Sequence, residues 1–167
     1  MIILAHDGSL YGDWVARYAL RFAATDADRK LLLLHVLDGR IDVAFAEARF
    51  ARLAEECQAA AIACHQELLP LGKSVYRTLR QAIPDDPEAL LVCGTRVKPR
   101  RQAFLAGSVA EQLLRVHACP VLALRQQQQD GYSAVQLGFG SRKAKNTSKA
   151  VRGHVRAAGQ EATPPAV

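Results

Sequence analysis

The sequence predicts an α/β protein built on an open parallel sheet with helices on both faces. Short apolar runs alternate with segments whose apolar residues recur at helical spacing, from residue 2 to residue 125. One run, KLLLLHVLD at 30–38, is almost continuously apolar, which is typical of a strand covered on both faces. Connections in such a sheet are right-handed, and ligands bind beyond the carboxyl ends of the strands.

The first elements have clear patterns. Residues 2–6 are an apolar strand that Asp7 and Gly8 end, and a helix follows at about 11–25. The strand at 30–38 comes next. A longer helix is predicted over roughly 43–64, with an apolar stripe formed by Phe50, Leu53, Ala54, Cys57, Ala61 and Cys64.

The segment after this helix admits two interpretations. In one, ELLPLGKS is a short strand that ends at Gly72, and Pro70 places it at a sheet edge because proline lacks an amide hydrogen. In the other, no strand forms and the chain passes from one helix directly into the next. We therefore expect the third strand to be short or degenerate.

The remaining elements complete the alternation. A helix at about 74–83 precedes the buried strand ALLVCG at 89–94. Residues 108–117 form the last helix, because Ser108 and Glu111 have the spacing of a capping box. The apolar segment CPVLALR then forms the last strand.

The composition changes at Gln126. Residues 126–167 are polar, rich in Gly, Ser, Lys and Arg, and without an apolar period. They carry six basic and two acidic side chains, whereas residues 1–125 carry 16 basic and 14 acidic ones. We predict a globular domain over 1–125 and a basic, low-complexity, disordered tail over 126–167.

Composition also excludes several classes of function. No apolar run is long enough to span a membrane, and MIILAHDGS lacks the basic leader of a signal peptide. The four cysteines have no C-x-x-C spacing, which favours buried thiols in a reducing cytoplasm over disulfides or a metal site. The net charge of +6 comes mostly from the tail, which weakens the case for nucleic-acid binding by the domain.

Two junctions between a strand and a helix carry residues capable of chemistry. The carboxylate of Asp7 could accept hydrogen bonds from a ligand; alternatively, Asp7 and Ser9 only cap the helix. At the second junction Gly94 allows close backbone approach, and Gly107 and Ser108 present helix-start amides that attract anions.

The loop within the second junction is basic. Four cations lie between its glycines: Arg96, Lys98, Arg100 and Arg101. A polyphosphate is the natural ligand of such a loop. The alternative is a solvated basic loop followed by an ordinary helix cap.

Together these features resemble the universal stress protein family. The matching residues are Asp7-Gly8-Ser9, the strands LLLLHVLD and ALLVCGTR, and the closing segment GSVAEQLLRVHACPVLALR. The resemblance covers residues 1–125. It implies the five-stranded parallel sheet of adenine-nucleotide α-hydrolase-like proteins, in the order 3-2-1-4-5, a homodimer, and a stress-linked role in the cytoplasm of prokaryotes.

Many members of this family bind ATP through a glycine, two residues, a second glycine, nine residues, and Gly-Ser or Gly-Thr. Here that frame falls on Gly94, Val97, Gly107 and Ser108, so the spacing is intact but the second glycine is a valine. A β-branched residue adopts positive φ poorly. Strain of about 1–3 kcal/mol there would weaken binding up to ~100-fold.

The resemblance also implies roles for single residues around the base and ribose. Asp7 and Val36 would contact adenine or its surroundings, and Gly94 and Arg96 would lie near the ribose and phosphates. Ala5 stands where nucleotide-binding members often have proline.

At the phosphate end, Gly107, Ser108 and Val109 would hold the ligand through backbone amides and a hydroxyl. Arg96 and Lys98 would partly offset the effect of valine at the second glycine. Mg²⁺ could accompany the ATP.

The leading hypothesis is therefore an ATP-binding sensor or adaptor without turnover. The second is the same fold without a nucleotide, acting through dimerisation and an unknown protein partner. An ATPase is disfavoured because the sequence shows no positioned base, no P-loop lysine and no magnesium-binding acid pair beyond Asp7. Nucleic-acid binding by the tail is disfavoured because its aromatic residues are few.

The homodimer should be joined through the strand at 119–125. The implied strand order places this apolar strand at the outer edge of the sheet. An exposed apolar edge is a liability unless another chain pairs with it or covers it.

Overall fold

A computed structural model describes residues 1–95, 109–116, 119–124, 126–129 and 132–135. Up to Leu124 the described elements alternate between strand and helix: β1 (Ile2–Ala5), α1 (Leu10–Thr25), β2 (Lys30–Leu37), α2 (Val43–Ala59), β3 (Ala63–Pro70), α3 (Val75–Ala82), β4 (Leu90–Gly94), α4 (Val109–Val116) and β5 (Val121–Leu124). Two short strands follow, β6 (Gln126–Gln129) and β7 (Tyr132–Val135).

The first five strands form one parallel sheet in the order β3-β2-β1-β4-β5, which confirms the predicted fold class and strand order. The central strand is β1, where Ala5 lies opposite Leu34 of β2 and Cys93 of β4. The chain moves outward from β1 to β3 and then returns to β4. The carboxyl ends of β1 and β4 therefore form the switch point where doubly wound sheets bind ligands.

Helices cover both faces of this sheet because alternate residues of each strand point to opposite sides. On one face Leu4 and Leu33 pack with Phe50, in a core built with α1 and α2. On the other face Ile3 and Leu91 lie in a core built with α3 and α4.

The helix predicted over 43–64 ends earlier, at Ala59. The carbonyl of Cys57 accepts hydrogen bonds from the amides of Ala60 and Ile62, at 3.1 and 2.9 Å. Ala61 then has a φ of 52°, which turns the chain toward the sheet. The alanine-rich sequence favours a longer helix locally, but pairing of the following residues with β2 overrides that preference.

The third strand is a complete strand, so the prediction that it would be short or degenerate is wrong. Its eight residues pair along the whole length of β2, from Lys30 opposite Ala63 to Leu37 opposite Pro70. Pro70 is the last residue of an edge strand, where its missing amide hydrogen is tolerated. The apolar pattern is weak because most side chains of this edge strand are exposed or half-buried.

The strands β6 and β7 pair antiparallel, from Gln126 opposite Val135 to Gln129 opposite Tyr132. They lie inside the segment that we predicted to be disordered, so that expectation is corrected for these eight residues. Four consecutive glutamines have no apolar period, and their pairing rests on backbone hydrogen bonds that hydropathy does not reveal. Residues 136–167 lie outside the described part of the chain.

Candidate functional site

Four of the predicted site residues lie at the carboxyl edge of the three central strands. Ala5 ends β1 and Asp7 follows two residues later. Gly94 ends β4, directly after Cys93, which lies opposite Ala5. Val36 of β2 lies two residues beyond the partner of Ala5 and is buried. The sheet therefore brings these four residues to one edge.

The other predicted site residues are divided between described and undescribed parts of the chain. Val109 is the first residue of α4, which agrees with the predicted helix start near 108. The remaining five lie outside the described residues: Arg96, Val97, Lys98, Gly107 and Ser108. The glycine-rich frame and the effect of its valine therefore stay predictions.

Asp7 and Ser9 together form the turn that opens α1. The carboxylate oxygen Oδ1 of Asp7 accepts hydrogen bonds from the amide and the hydroxyl of Ser9, at 3.1 and 2.6 Å. Ser9 Oγ in turn accepts a hydrogen bond from the amide of Gly12 at 3.1 Å, so Ser9 is the N-cap of α1. The capping role that we kept as the alternative is thus present, and the side chain of Asp7 is still exposed at the carboxyl edge of the sheet.

Gly8 is required by its conformation and by its surroundings. Its φ is 75°, in the left-handed region that side chains disfavour. A Cβ atom there would lie 2.2 Å from Cδ1 of Ile41 and 2.9 Å from Cε1 of His35. The turn that carries Asp7 is therefore packed tightly against β2 and the loop that follows it.

A buried histidine holds this turn, and the sequence analysis did not identify it as functional. The amide of Gly8 donates to Nδ1 of His6 at 2.8 Å, so Nδ1 is an acceptor. The proton must then reside on Nε2, which donates to Asp13 Oδ1 at 3.2 Å. The second oxygen of Asp13 pairs with Arg49 of α2. Burial lowers the pKa of His6 to about 4, so its imidazole is neutral at pH 7.

His35 and Phe50 also pack against His6 and its backbone. His35 Nδ1 donates to the backbone carbonyl of His6 at 2.9 Å. The ring of Phe50 meets both imidazoles edge to face, with ring centres 5.3 Å from His6 and 5.4 Å from His35. Of these contacts, only the one between His6 and Gly8 joins residues that are neighbours in the sequence. The other partners lie far apart along the chain, so the sequence does not reveal them.

Packing within the fold requires a glycine at position 94, independently of any ligand. A Cβ atom on Gly94 would lie 2.7 Å from Cε1 of Tyr11 and 3.1 Å from Cγ2 of Val15. The Tyr11 hydroxyl reaches two backbone carbonyls, of Thr95 at 3.2 Å and of Leu124 at 2.6 Å. The glycine at the end of β4 thus lets α1 pack on the sheet, whereas the sequence had suggested only a close approach of ligand and backbone.

A groove of about 500 Å³ lies elsewhere, between α1 and α2. It is lined by Leu10, Asp13, Trp14, Arg17, Phe45, Ala48, Arg49, Arg52, Leu53 and Glu56. The strand-end residues Asp7, Val36 and Gly94 do not line it. The ion pair of Asp13 and Arg49 lines this groove, and Asp13 also binds His6 beside the turn at Asp7 and Gly8.

Within the described ranges, metal-binding clusters and membrane-spanning helices are both absent. There, no group of three or more His, Cys, Asp or Glu side chains could hold a metal ion. No helix in those ranges combines the length and apolar character needed to cross a bilayer.

A protein-family model described as the universal stress protein family matches residues 1–125. Several solved structures are similar to the chain, and three of them belong to organisms as different as bacteria and a plant. The first, a protein from the universal stress protein family of Burkholderia pseudomallei, is 25% identical, with 74% of this chain and 94% of that chain covered and a TM-score of 0.49.

The second, from Pseudomonas aeruginosa UCBPP-PA14, is also assigned to the universal stress proteins; it is 20% identical and its TM-score is 0.50. The match covers 77% of this chain and 44% of that one. The third is a universal stress protein family protein from Arabidopsis thaliana with AMP bound. It is 14% identical, with 78% of this chain and 94% of that chain covered and a TM-score of 0.48.

Proposed function

Because the chain belongs to the universal stress protein family, we propose that it binds an adenine nucleotide, with ATP as the first candidate, and acts as a sensor or adaptor that does not hydrolyse it. One observation carries the proposal beyond the family. Asp7 and Gly94 lie at the carboxyl ends of adjacent strands, β1 and β4, where the direction of winding reverses. Ligands of open α/β sheets bind at this position.

The base and ribose would lie on the described part of this edge. The exposed carboxylate of Asp7 can accept hydrogen bonds from an amino group or a ribose hydroxyl, while its turn is held rigid by Gly8 and His6. The apolar side chain of Val36 is buried at the same edge of the sheet and would line the floor of the site. A pre-formed turn lowers the cost of ordering that binding would otherwise incur.

The phosphates would lie at the start of α4. Its first residue, Val109, follows Gly107 and Ser108, whose amides and hydroxyl would bind the phosphate oxygens. Arg96 and Lys98 would add positive charge, and Mg²⁺ could accompany ATP. We expect Val97 to weaken this site, because glycine is the residue that its position in the frame requires.

Titration calorimetry with ATP at low millimolar concentration tests the proposal. We expect weak binding by the natural protein and tighter binding, by up to ~100-fold, for Val97→Gly, because the strain at this position is relieved. Gly107→Asp should abolish binding because it places a carboxylate beside the phosphates. Gln58→Glu is the matched control, since it adds the same charge to an exposed position at the end of α2 and should bind like the natural protein.

A second candidate is an adaptor without nucleotide, and two contacts favour it. Asp7 is engaged by Ser9, and Gly94 is required by the ring of Tyr11, so both residues have roles in the fold alone. In this case the protein would act through dimerisation and a protein partner. Absence of heat from both the natural protein and Val97→Gly would favour this candidate over nucleotide binding.

A further inference from the structure

Two cysteines meet at the edge of the sheet opposite the strand-end site. Cys57 lies in the last turns of α2, and Cys64 is the second residue of β3, so both are near the amino ends of the strands. Cys57 belongs to the core between α2 and the sheet, and Cys64 packs against the same core, so the two side chains lie on one face of the sheet. Cys57 is fully buried, whereas Cys64 is half-buried on an edge strand and therefore accessible to small molecules. Both are free thiols.

The turn between the two cysteines keeps them together. The carbonyl of Cys57 accepts a hydrogen bond from the amide of Ile62 at 2.9 Å, and Ala61 reverses the chain with a φ of 52°. The amide of Ala63 then joins the sheet by donating to the carbonyl of Arg29 at 2.8 Å. The approach of the two thiols is thus a consequence of backbone pairing on both sides of the turn.

The two thiols differ in acidity because one donates the hydrogen bond and the other accepts it. A hydrogen bond with Cys57 lowers the pKa of Cys64 to about 7. Burial acts in the opposite direction and raises this pKa, while a hydrogen bond with Gln66 lowers it further. The same thiol pair, together with burial, raises the pKa of Cys57. With a pKa of about 7, Cys64 is close to half ionised at neutral pH and is the more nucleophilic of the two thiols, while Cys57 keeps its proton.

We propose that Cys57 and Cys64 form a site of reversible oxidation by hydroperoxides. The Cys64 thiolate attacks one peroxide oxygen, the O–O bond breaks, and Cys64 becomes a sulfenic acid while the other oxygen leaves as alkoxide or hydroxide and takes a proton from water. The Cys57 sulfur then attacks the sulfenic sulfur. A disulfide forms, the hydroxyl of the sulfenic acid leaves, and it departs as water with the Cys57 proton. Overall, two thiols are oxidised to a disulfide. An organic hydroperoxide is reduced to an alcohol and water, and hydrogen peroxide is reduced to two molecules of water.

The other two cysteines of the chain provide internal controls. Cys93 of β4 and Cys119, just before β5, are buried in the core on the opposite face of the sheet. Burial raises the pKa of Cys93 to about 12 and also raises the pKa of Cys119. Both should therefore stay reduced under conditions that oxidise the α2–β3 pair.

The sequence makes this inference measurable by peptide mass. Trypsin places Cys57 and Cys64 in one peptide, residues 53–73, whereas Cys93 falls in 81–96 and Cys119 in 116–125. The full-length protein is treated with stoichiometric hydrogen peroxide, denatured, blocked with N-ethylmaleimide and digested without reduction. We expect the 53–73 peptide to lose about 2 Da relative to the reduced, unblocked peptide and to carry no maleimide, because its thiols have joined. Dithiothreitol should restore both thiols.

Variants separate the roles of the two sulfurs. In Cys57→Ala, Cys64 should accumulate as a sulfenic acid that dimedone traps, because no second thiol is present to resolve it. In Cys64→Ala, Cys57 should stay reduced after the same treatment. Two maleimides on the 53–73 peptide of peroxide-treated natural protein would overturn the proposal, as would oxidation of Cys93 or Cys119 at the same rate. The measurement on the natural protein needs no substitution, and it requires no nucleotide.

Discussion

The side chain of His6 shows how one buried residue can set the geometry of an exposed one. Its imidazole accepts from the amide of Gly8 and donates to Asp13, which reaches α2 through Arg49. The turn at Asp7 therefore depends on a contact between α1 and α2. Because the His6 imidazole is buried, its protonation state is linked to the stability of the fold.

The low pKa of His6 predicts loss of stability in acid. In the unfolded chain this pKa is near 6.5, and burial lowers it to about 4 in the fold, so the unfolded state binds the proton more tightly. The contribution of His6 to the free energy of unfolding is complete above pH ~6.5. It falls as the pH decreases toward ~4, by a total of about 3 kcal/mol.

Urea unfolding at about pH 7.5 and about pH 5 measures this effect. The natural protein should lose more free energy of unfolding between the two pH values than His6→Asn, whose amide oxygen can still accept from Gly8 but does not titrate. All carboxylates are shared by the two proteins, so their contribution cancels in the comparison. Equal losses in both proteins would show that His6 does not titrate as its burial requires.

Among the helices and strands, the packing of α1 on the ends of β4 and β5 depends on one ring. Tyr11 reaches the carbonyls of Thr95 and Leu124 with its hydroxyl, and its ring occupies the space that a side chain at position 94 would need. The first turn of α1 thus lies directly over the edge where the strand-end site is formed.

This packing predicts the effect of Gly94→Ala. The added methyl group should cost about 1–3 kcal/mol of stability, because it meets the Tyr11 ring in a closely packed region. In a Tyr11→Ala background the ring is gone, and the same substitution should cost at least about 1 kcal/mol less. A double-mutant cycle measured by urea unfolding tests this coupling. An equal cost in both backgrounds would mean that the backbone or Val15, and not Tyr11, excludes the side chain.

For the whole molecule, the edge strand β5 is the proposed dimer contact. Val121 and Leu122 are buried within the chain itself, so lysine at these positions would disrupt the fold together with any dimer. Leu91 donates to the carbonyl of Pro120, and Thr95 donates to the carbonyl of Leu124. Because these contacts alternate along a strand, the amide of Ala123 points away from β4, toward the side where the proposed partner would pair.

Ala123→Pro therefore tests the dimer with little expected effect on the sheet. Proline removes the outward amide, which the sheet of one chain does not use, and proline is tolerated on edge strands. Sedimentation velocity at micromolar concentration should show a dimer for the natural protein and a monomer for the variant. A similar thermal unfolding midpoint at low concentration is the control for folding. A natural protein that sediments only as a monomer would contradict the dimer.

The contrast between strong and weak local patterns explains which elements could be predicted. The turn at Asp7 and Gly8 and the cap at Ser9 were recognised because their signals lie within a few residues. The end of α2 and the extent of β3 were misjudged. There, alanines favour a helix, and the half-exposed edge strand has no clear alternation, so pairing with β2 decides the outcome.

By itself, the sequence determined the alternation of strands and helices and the placement of Asp7 and Gly94 at strand ends, because hydrophobic period and glycine position are local properties. Its resemblance to a family also implied the strand order. Only the tertiary structure decided which side chains meet: His6 with Asp13, and Cys57 with Cys64 across a turn that was predicted as helix. Such contacts depend on how complete elements pack, and the free energy of packing is shared among residues that no local segment of the chain contains.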